Sequence, residues 1–314
     1  MKEIKIVGIG GAGTMGASMA QIFALKGYKT IIYDIVDTAI EKGKKLIQVN
    51  QEAEVEAKNE TEEEAKKVFE NISFTTNMED LKECDILIES IIEKLEIKQN
   101  FWENASKVLK PDAIFATNTS GLSINKICQK VEGKNRFLGM HWFNPSHLIP
   151  LIEIIRNDET DDESVETVKQ LAIKIGKKPV ICQKDVPGFI ANRIQFAILR
   201  ECIDIVEKEV ATIEDVDAVM KYGLGFRYAA FGPFEVADFG GLDTFHHIAS
   251  YLNEDLCDTK QVQKLMDDHY QKGEYGVKSK KGFYDYSGTK DEEALKKRDE
   301  MFMLLAKTLY KNDK

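Results

Sequence analysis

The sequence predicts an α/β protein in which a doubly wound, mainly parallel sheet is followed by a smaller all-α domain. Three observations lead there. Short apolar, β-rich runs alternate with helix-period segments through the first half of the chain, and a glycine-rich turn joins the first such run to the first helical one. Past Asp185-Val186-Pro187-Gly188 the strand candidates vanish and helical patterns dominate. Alternation of this kind is what βαβ crossovers leave in a sequence.

The elements follow in order. Ile4-Lys5-Ile6-Val7 is the first strand, Gly11-Ala12-Gly13-Thr14-Met15-Gly16 the turn, and 17–24 the helix behind it. A second apolar run, Thr30-Ile31-Ile32-Tyr33, ends in Asp34. The polar, proline-free stretch 37–69 reads as two helices projecting from the sheet. Its acidic middle (Glu52, Glu54, Glu56, Glu60, Glu62, Glu63 and Glu64) reads as a solvated face. Further strands are expected at 72–75, 85–88, 113–116, 137–140, 151–155 and 179–182, with helices near 94–109, 123–131 and 164–175 between them. The domain boundary is placed at 184, giving a dinucleotide-binding domain over 1–184 and a helical domain over 185–314. In the latter, helices are expected at 189–210, 212–222, 241–252, 261–272 and 292–311, with Thr212 and Asp215 forming a capping box. Ile190, Ile194, Ile198, Cys202 and Ile205 make one stripe, which predicts burial against other helices or a second subunit.

Composition narrows the function classes. Of 314 residues, 43% are hydrophobic and 31% charged, as in ordinary globular proteins, and the length accommodates two cores. A net charge of −10 argues against a nucleic-acid partner, which would require clustered Lys and Arg. The opening residues show no signal-peptide pattern, and no apolar run approaches a membrane span, so a cytoplasmic protein without membrane partners is expected. Five dispersed cysteines without a CxxC motif read as reduced thiols, and no His/Cys cluster has metal-ligand spacing.

Strand, glycine turn, helix, strand and carboxylate is the arrangement by which a βαβ unit holds a dinucleotide, the feature that makes the first domain Rossmann-like. Gly11 permits the tight turn, Gly13 lets the backbone approach a pyrophosphate, and Gly16 lets helix and strand pack closely. The start of the helix adds partial positive charge. Gly8-Ile9-Gly10-Gly11-Ala12-Gly13 fits the same pattern, but the later register starts the helix just after Gly16 and spaces Asp34 better. Thr14 and Met15 continue the turn and, with Asn118 after the fifth strand, are assigned to the cofactor site. Asp34 would accept hydrogen bonds from a ribose diol and repel a 2′-phosphate, which favours NAD over NADP. A methyltransferase also holds a ribose on such an acid, and glycines alone do not separate the two.

Chemistry is suggested by His141, at the carboxyl end of a strand, and by Glu153, which interrupts the apolar run Leu151-Ile152-Glu153-Ile154-Ile155. A carboxylate inside such a strand is costly unless paired, and an imidazolium is its natural partner. The two would make a tuned general base, which a methyltransferase has no need of. Ser120, beyond the strand at 113–116, and Asn192, at the start of the first C-terminal helix, are placed to meet a substrate oxygen.

These residues lie in longer motifs: GAGTMG, ESIIEKLEIKQNFW, TNTSGLSI, HWFNP followed by IEII, DVPGFIANRI, GPFEVADFGGLDT and KSKKGFYDYS. In this order and spacing the chain resembles the 3-hydroxyacyl-CoA dehydrogenase family, close to the bacterial 3-hydroxybutyryl-CoA dehydrogenases, over nearly its whole length. The resemblance implies that His141 is catalytic with Glu153 as its partner, and that Ser120 and Asn192 contact the substrate's 3-oxygen and the histidine. It also implies that Glu93 and Lys98 lie near the nicotinamide. The implied reaction is reversible, NAD-dependent oxidation of a short-chain (3S)-3-hydroxyacyl-CoA, by a homodimer with an acyl-CoA as its small-molecule partner. Lys42, Lys44 and Lys45 could meet the CoA nucleotide. The segments Asn192-Arg193-Ile194-Gln195 and 223–229 depart toward relatives acting on free 3-hydroxy acids, L-gulonate 3-dehydrogenase and carnitine dehydrogenase, and Arg227 would suit a free carboxylate. A non-catalytic NAD-binding protein is the third reading, disfavoured by the presence of both His141 and Glu153.

Overall fold

The structure, a computed structural model, describes residues 2–56 and 61–309, so Glu60 of the acidic run and Lys311 of the last predicted helix lie outside the described residues. The chain divides into two compact units, Met1–Asn192 and Arg193–Lys314.

The first unit is built on one sheet of eight strands: β1 (Ile6–Gly10), β2 (Lys29–Tyr33), β3 (Ile72–Thr75), β4 (Ile86–Glu89), β5 (Ile114–Thr117), β6 (Phe137–Trp142), β7 (Leu151–Arg156) and β8 (Lys178–Cys182). Their order is β3-β2-β1-β4-β5-β6-β7-β8. Every pairing is parallel except β6 with β7. Parallel neighbours need a crossover of a dozen or more residues, usually a helix, and residues 143–150 are too few to supply one. The short link therefore turns β7 back along β6.

Helices α1 (Thr14–Leu25), α2 (Asp37–Glu56), α3 (Glu62–Asn71), α4 (Leu95–Val108), α5 (Ile124–Ile127) and α6 (Asp162–Lys174) flank the sheet, and α7 (Ala191–Glu207) begins at the end of the unit. One core face joins Phe23 of α1, Ile47 of α2, Val68 of α3 and Val168 of α6 to Ile9, Ile88, Met140 and Ile154 of the strands. The other joins Trp102 of α4 and Ile127 of α5 to Leu87, Phe115, Phe137 and Ile155. Buried on both faces, the central strands read as near-continuous apolar runs, which is why they were legible in the sequence.

Several expected boundaries move: the first strand, expected over 4–7, is Ile6–Gly10, the helix expected over 189–210 is Ala191–Glu207, and two further shifts matter locally. The strand expected to end at 140 continues to Trp142, so His141 lies inside β6 rather than after it. The helix expected over 123–131 is a single α turn, α5, followed by a 3₁₀ turn at Cys128–Lys130.

The second unit contains the rest of α7, then α8 (Ile213–Val219), α9 (Gly225–Tyr228), α10 (Pro233–Gly240), α11 (Leu242–Leu252), α12 (Lys264–Gln271) and α13 (Lys290–Leu309). Thr212 caps α8 by accepting the Asp215 N–H at 3.1 Å, but the helix passes into a π turn at Met220–Leu224 instead of running to Tyr222. Helix α10 had no counterpart in the sequence reading; Pro233 opens it, and Glu235 accepts the Gly232 N–H at 2.8 Å. Among the described residues of this unit only Ile203 is buried, and Ile194, Phe226, Phe234 and Phe239 are each more than half exposed. No helix among the described residues is long and apolar enough to cross a membrane.

Candidate active site

The turn after β1 separates the three glycines by physical role. Gly11 has φ +108°, and a Cβ there would lie 2.5 Å from the Ser90 carbonyl oxygen. A Cβ on Gly16 would lie 1.9 Å from the Gly11 carbonyl oxygen, so α1 could not sit where it does. Gly13 is different: a Cβ there meets nothing within 4 Å, and the glycine leaves space open at the first turn of α1. That helix start carries no side-chain cap, and its free N–H groups suit a pyrophosphate. Thr14 is exposed and Met15 half-buried at the same place. Asp34, just past β2, accepts the Ala12 N–H at 2.9 Å on Oδ2 and the Val36 N–H at 3.1 Å on Oδ1. Two of the carboxylate's four lone-pair positions remain for a ribose.

On β6 and β7 the antiparallel register sets His141 directly opposite Glu153. Alternation along the strands keeps both on the face that carries Phe137 and Ile155. The imidazole Nδ1 lies 2.8 Å from Oε2 of Glu153, with the two residues 3% and 0% exposed. The other carboxylate oxygen, Oε1, accepts the N–H groups of Ile190 at 3.0 Å and Ala191 at 2.8 Å, where α7 begins. Those N–H groups are aimed by a left-handed pair, Gly188 (φ 75°) and Phe189 (φ 49°). A buried aromatic in that conformation is strained, and such strain concentrates at functional sites. The Phe189 ring packs edge-on to His141 at 5.9 Å, and Phe143 lies 4.4 Å away. Burial pushes the Glu153 carboxyl up, but the hydrogen bonds from His141, Ala191 and Ile190 outweigh it and hold the group below the usual carboxylate range. Because the carboxylate only accepts, Nδ1 carries a proton and Nε2 is left with its lone pair in the neutral ring.

The remaining predicted residues gather at the carboxyl ends of β4 and β5. Asn192 donates to the Ser120 carbonyl at 2.8 Å, and the Ser120 N–H reaches Glu93 at 3.0 Å. Asn118 ties three strands: its N–H donates to the Glu89 carbonyl at 2.7 Å, its amide to Ser90 at 3.2 Å, and its side-chain oxygen accepts the Trp142 N–H at 2.9 Å. Lys98 is fully buried and bridges Glu93 at 3.2 Å to Glu89. Sequence reasoning missed Glu89, Phe143 and Phe189. A signal for the first was present, since Glu89 closes the apolar run Ile86-Leu87-Ile88 much as Glu153 interrupts its own. No hydrogen bond joins Ser120 or Asn192 to His141 among the described residues.

The constellation pairs a dinucleotide turn with a buried, oriented imidazole three strands away, which suits hydride transfer coupled to proton transfer. Residues 6–186 match the family described as 3-hydroxyacyl-CoA dehydrogenase, NAD binding domain, and residues 188–286 match the 3-hydroxyacyl-CoA dehydrogenase C-terminal domain. The chain belongs to the 3-hydroxyacyl-CoA dehydrogenase family. It is accordingly an NAD-dependent oxidoreductase acting on CH–OH groups, and the open cradle at Gly13 fits the cofactor. It is 38% identical to a 3-hydroxybutyryl-CoA dehydrogenase of Bradyrhizobium diazoefficiens over 91% of this chain and 97% of that one. It is 34% identical to the 5-formyl-3-hydroxy-2-methylpyridine 4-carboxylate 5-dehydrogenase of Mesorhizobium japonicum over 90% and 91%. Among solved structures, a dehydrogenase of that same pyridine carboxylic acid superposes with a TM-score of 0.88, at 31% identity over 98% of this chain and 99% of that one. A (S)-3-hydroxybutyryl-CoA dehydrogenase from Ralstonia eutropha gives 0.77 at 33% identity over 91% and 100%.

Proposed function

We propose that this dehydrogenase interconverts short-chain (3S)-3-hydroxyacyl-CoA and 3-oxoacyl-CoA, with His141 and Glu153 as its acid–base pair. The observation that carries the reading is the His141–Glu153 contact at 2.8 Å, buried and opposed in register. NAD, when bound, supplies the hydride acceptor of the oxidative direction and, reduced, the hydride donor of the reverse. In oxidation His141 Nε2 takes the 3-hydroxyl proton as hydride leaves C3. The Glu153 carboxylate then faces an imidazolium, and its second oxygen stays fixed by the two N–H groups at the start of α7. In reduction His141 returns that proton to the 3-oxygen. A positioned acid–base group of this kind contributes about 10²–10⁴-fold to rate.

Ser120 and Asn192 hold the 3-oxygen in this reading, supported by the hydrogen bond from the Asn192 amide to the Ser120 backbone carbonyl, which brings the two residues together. Gly11, Gly13, Thr14, Met15 and Gly16 receive the pyrophosphate, Asp34 the ribose, and Asn118, Glu93 and Lys98 border the nicotinamide. Residues 1–184 serve as the NAD-binding domain and 185–314 as the helical domain for substrate and dimerisation. A homodimer is supported by a helical unit with only Ile203 buried among its described residues, because such a unit needs another apolar surface. A solution mass near twice 35.6 kDa is expected, and a monomeric mass would contradict the dimer.

A second reading, a free 3-hydroxy acid as substrate, draws on one observation: the TM-score of 0.88 with a dehydrogenase whose substrate carries a free carboxylate in place of a CoA thioester. NADH oxidation separates the two when acetoacetyl-CoA is compared with free acetoacetate, 3-dehydrocarnitine and 3-dehydro-L-gulonate. Turnover of the thioester is expected. A free acid turned over while the thioester is inert would replace the first reading with the second.

A further inference from the structure

A row of alternating charge lies along the carboxyl ends of β4 and β5. Glu89 closes β4, is fully buried, and has four donors on its carboxyl group. The Ile91 N–H at 3.0 Å and the Lys98 ammonium reach Oε1, while the Trp102 indole N–H at 3.2 Å and the Thr117 hydroxyl at 2.7 Å reach Oε2. Donors on every side make this an acceptor-only carboxylate. Lys98, equally buried, reaches on to Glu93, whose side chain is 44% exposed. One ammonium between two carboxylates leaves the row with a formal charge of −1.

Glu89 alone compensates the buried Lys98. Glu93, half-exposed and also accepting the Thr119 hydroxyl and the Ser120 N–H, therefore leaves an excess negative charge at the strand ends that would attract another positive charge. The topology indicates which charge that is. Gly10, at the end of β1, lies opposite Glu89, so the glycine turn and the row adjoin where the strand order reverses. A dinucleotide crosses such a sheet at that point. With its adenosine ribose toward Asp34 beyond β2, its nicotinamide end falls over β4 and β5, on the side of His141. The nicotinamide ring carries a positive charge when oxidised and none when reduced.

We propose that the Glu89–Lys98–Glu93 row discriminates the redox state of the cofactor, holding NAD⁺ more tightly relative to NADH than a neutral row would. The proposal rests on the placement of the cofactor and not on the identity of the substrate. In the family's reaction a hydride passes between the substrate carbon and the nicotinamide while a proton passes to or from the enzyme. Stabilising the cation therefore biases the bound equilibrium toward the hydroxy form. Glu89 acts here as a positioning and electrostatic residue, fixing Lys98 and through it Glu93.

The test is binding alone, with the full-length protein and no substrate. Kd values for NAD⁺ and NADH are measured by calorimetry for wild type, Glu89→Gln and Glu93→Gln. Each substitution neutralises the row, and the ratio Kd(NAD⁺)/Kd(NADH) should rise roughly fivefold or more, as expected for removal of one unit charge several ångströms away in a partly screened site. A ratio unchanged in both variants, with the two constants moving together, would overturn the proposal. Glu93 is half-exposed, so Glu93→Gln decides the matter alone if Glu89→Gln does not fold. A wild-type protein that binds neither form would overturn the placement of the cofactor, an outcome distinct from an unmoved ratio.

Discussion

His141 and Glu153 face one another across the antiparallel β6–β7 pairing, with Nδ1 2.8 Å from Oε2 and the second carboxylate oxygen held by the backbone of Ile190 and Ala191. The pair is thereby fixed from both ends. The imidazole cannot rotate without losing the carboxylate, and the carboxylate cannot turn without releasing the start of α7.

Glu153→Gln keeps the volume and removes the charge. We expect kcat to fall by about 10²–10⁴-fold with the Kd for NADH unchanged. The pH dependence of stability gives a second check. The folded pKa of Glu153 lies below its ordinary 4.5, so its contribution to folding is full above that value and is lost as pH falls through the folded pKa. The stability gap between wild type and Glu153→Gln, from urea denaturation, should therefore narrow as pH drops below 4.5. A gap constant from pH 6 to pH 3 would contradict the assignment.

The glycines of the turn divide by experiment. Gly13→Ala places its methyl in open space, so the melting temperature should stay near wild type while NADH affinity drops at least tenfold. Gly16→Ala drives a methyl onto the Gly11 carbonyl, and the fold itself should lose about 2 kcal/mol or more. Calorimetric melting with NADH titration measures both, and equal thermal losses in the two variants would refute the distinction.

Lys177 is buried, and its ammonium is received by the carbonyl oxygens of Ser146 at 2.6 Å and Ile149 at 2.7 Å, with the Trp142 ring 5.5 Å away. Desolvation lowers its pKa from 10.5 to about 8. Between those values the unfolded chain binds the proton and the folded one does not, so stability from this group rises with pH across that window, by on the order of 3 kcal/mol. Lys177→Met should lack that rise relative to wild type. Parallel stability profiles from pH 7 to pH 10.5 would show that the group titrates normally.

Much of the fold was legible because β4, β5 and β6 are buried on both faces and read as near-continuous apolar runs, and because Gly11 and Gly16 mark a turn that no other residue fits. The direction of β7 was not, since an apolar run carries no sign; the short link at 143–150 held that information. His141 and Glu153 stood out as polar residues among apolar ones. Glu89 obeyed the same rule but lay at a strand end, where a carboxylate looks like ordinary punctuation, and its partner Lys98 sits a helix turn into α4. The strain at Phe189 was illegible because nothing in an aromatic side chain announces a left-handed backbone.

The role proposed for His141, moving the proton at the substrate's 3-oxygen, is checked by His141→Ala, assayed for acetoacetyl-CoA-dependent NADH oxidation and, on the same preparation, for NADH binding. Turnover should fall by at least about 10²-fold with the NADH Kd unchanged. Turnover that survives the substitution in a protein that still binds NADH would contradict it.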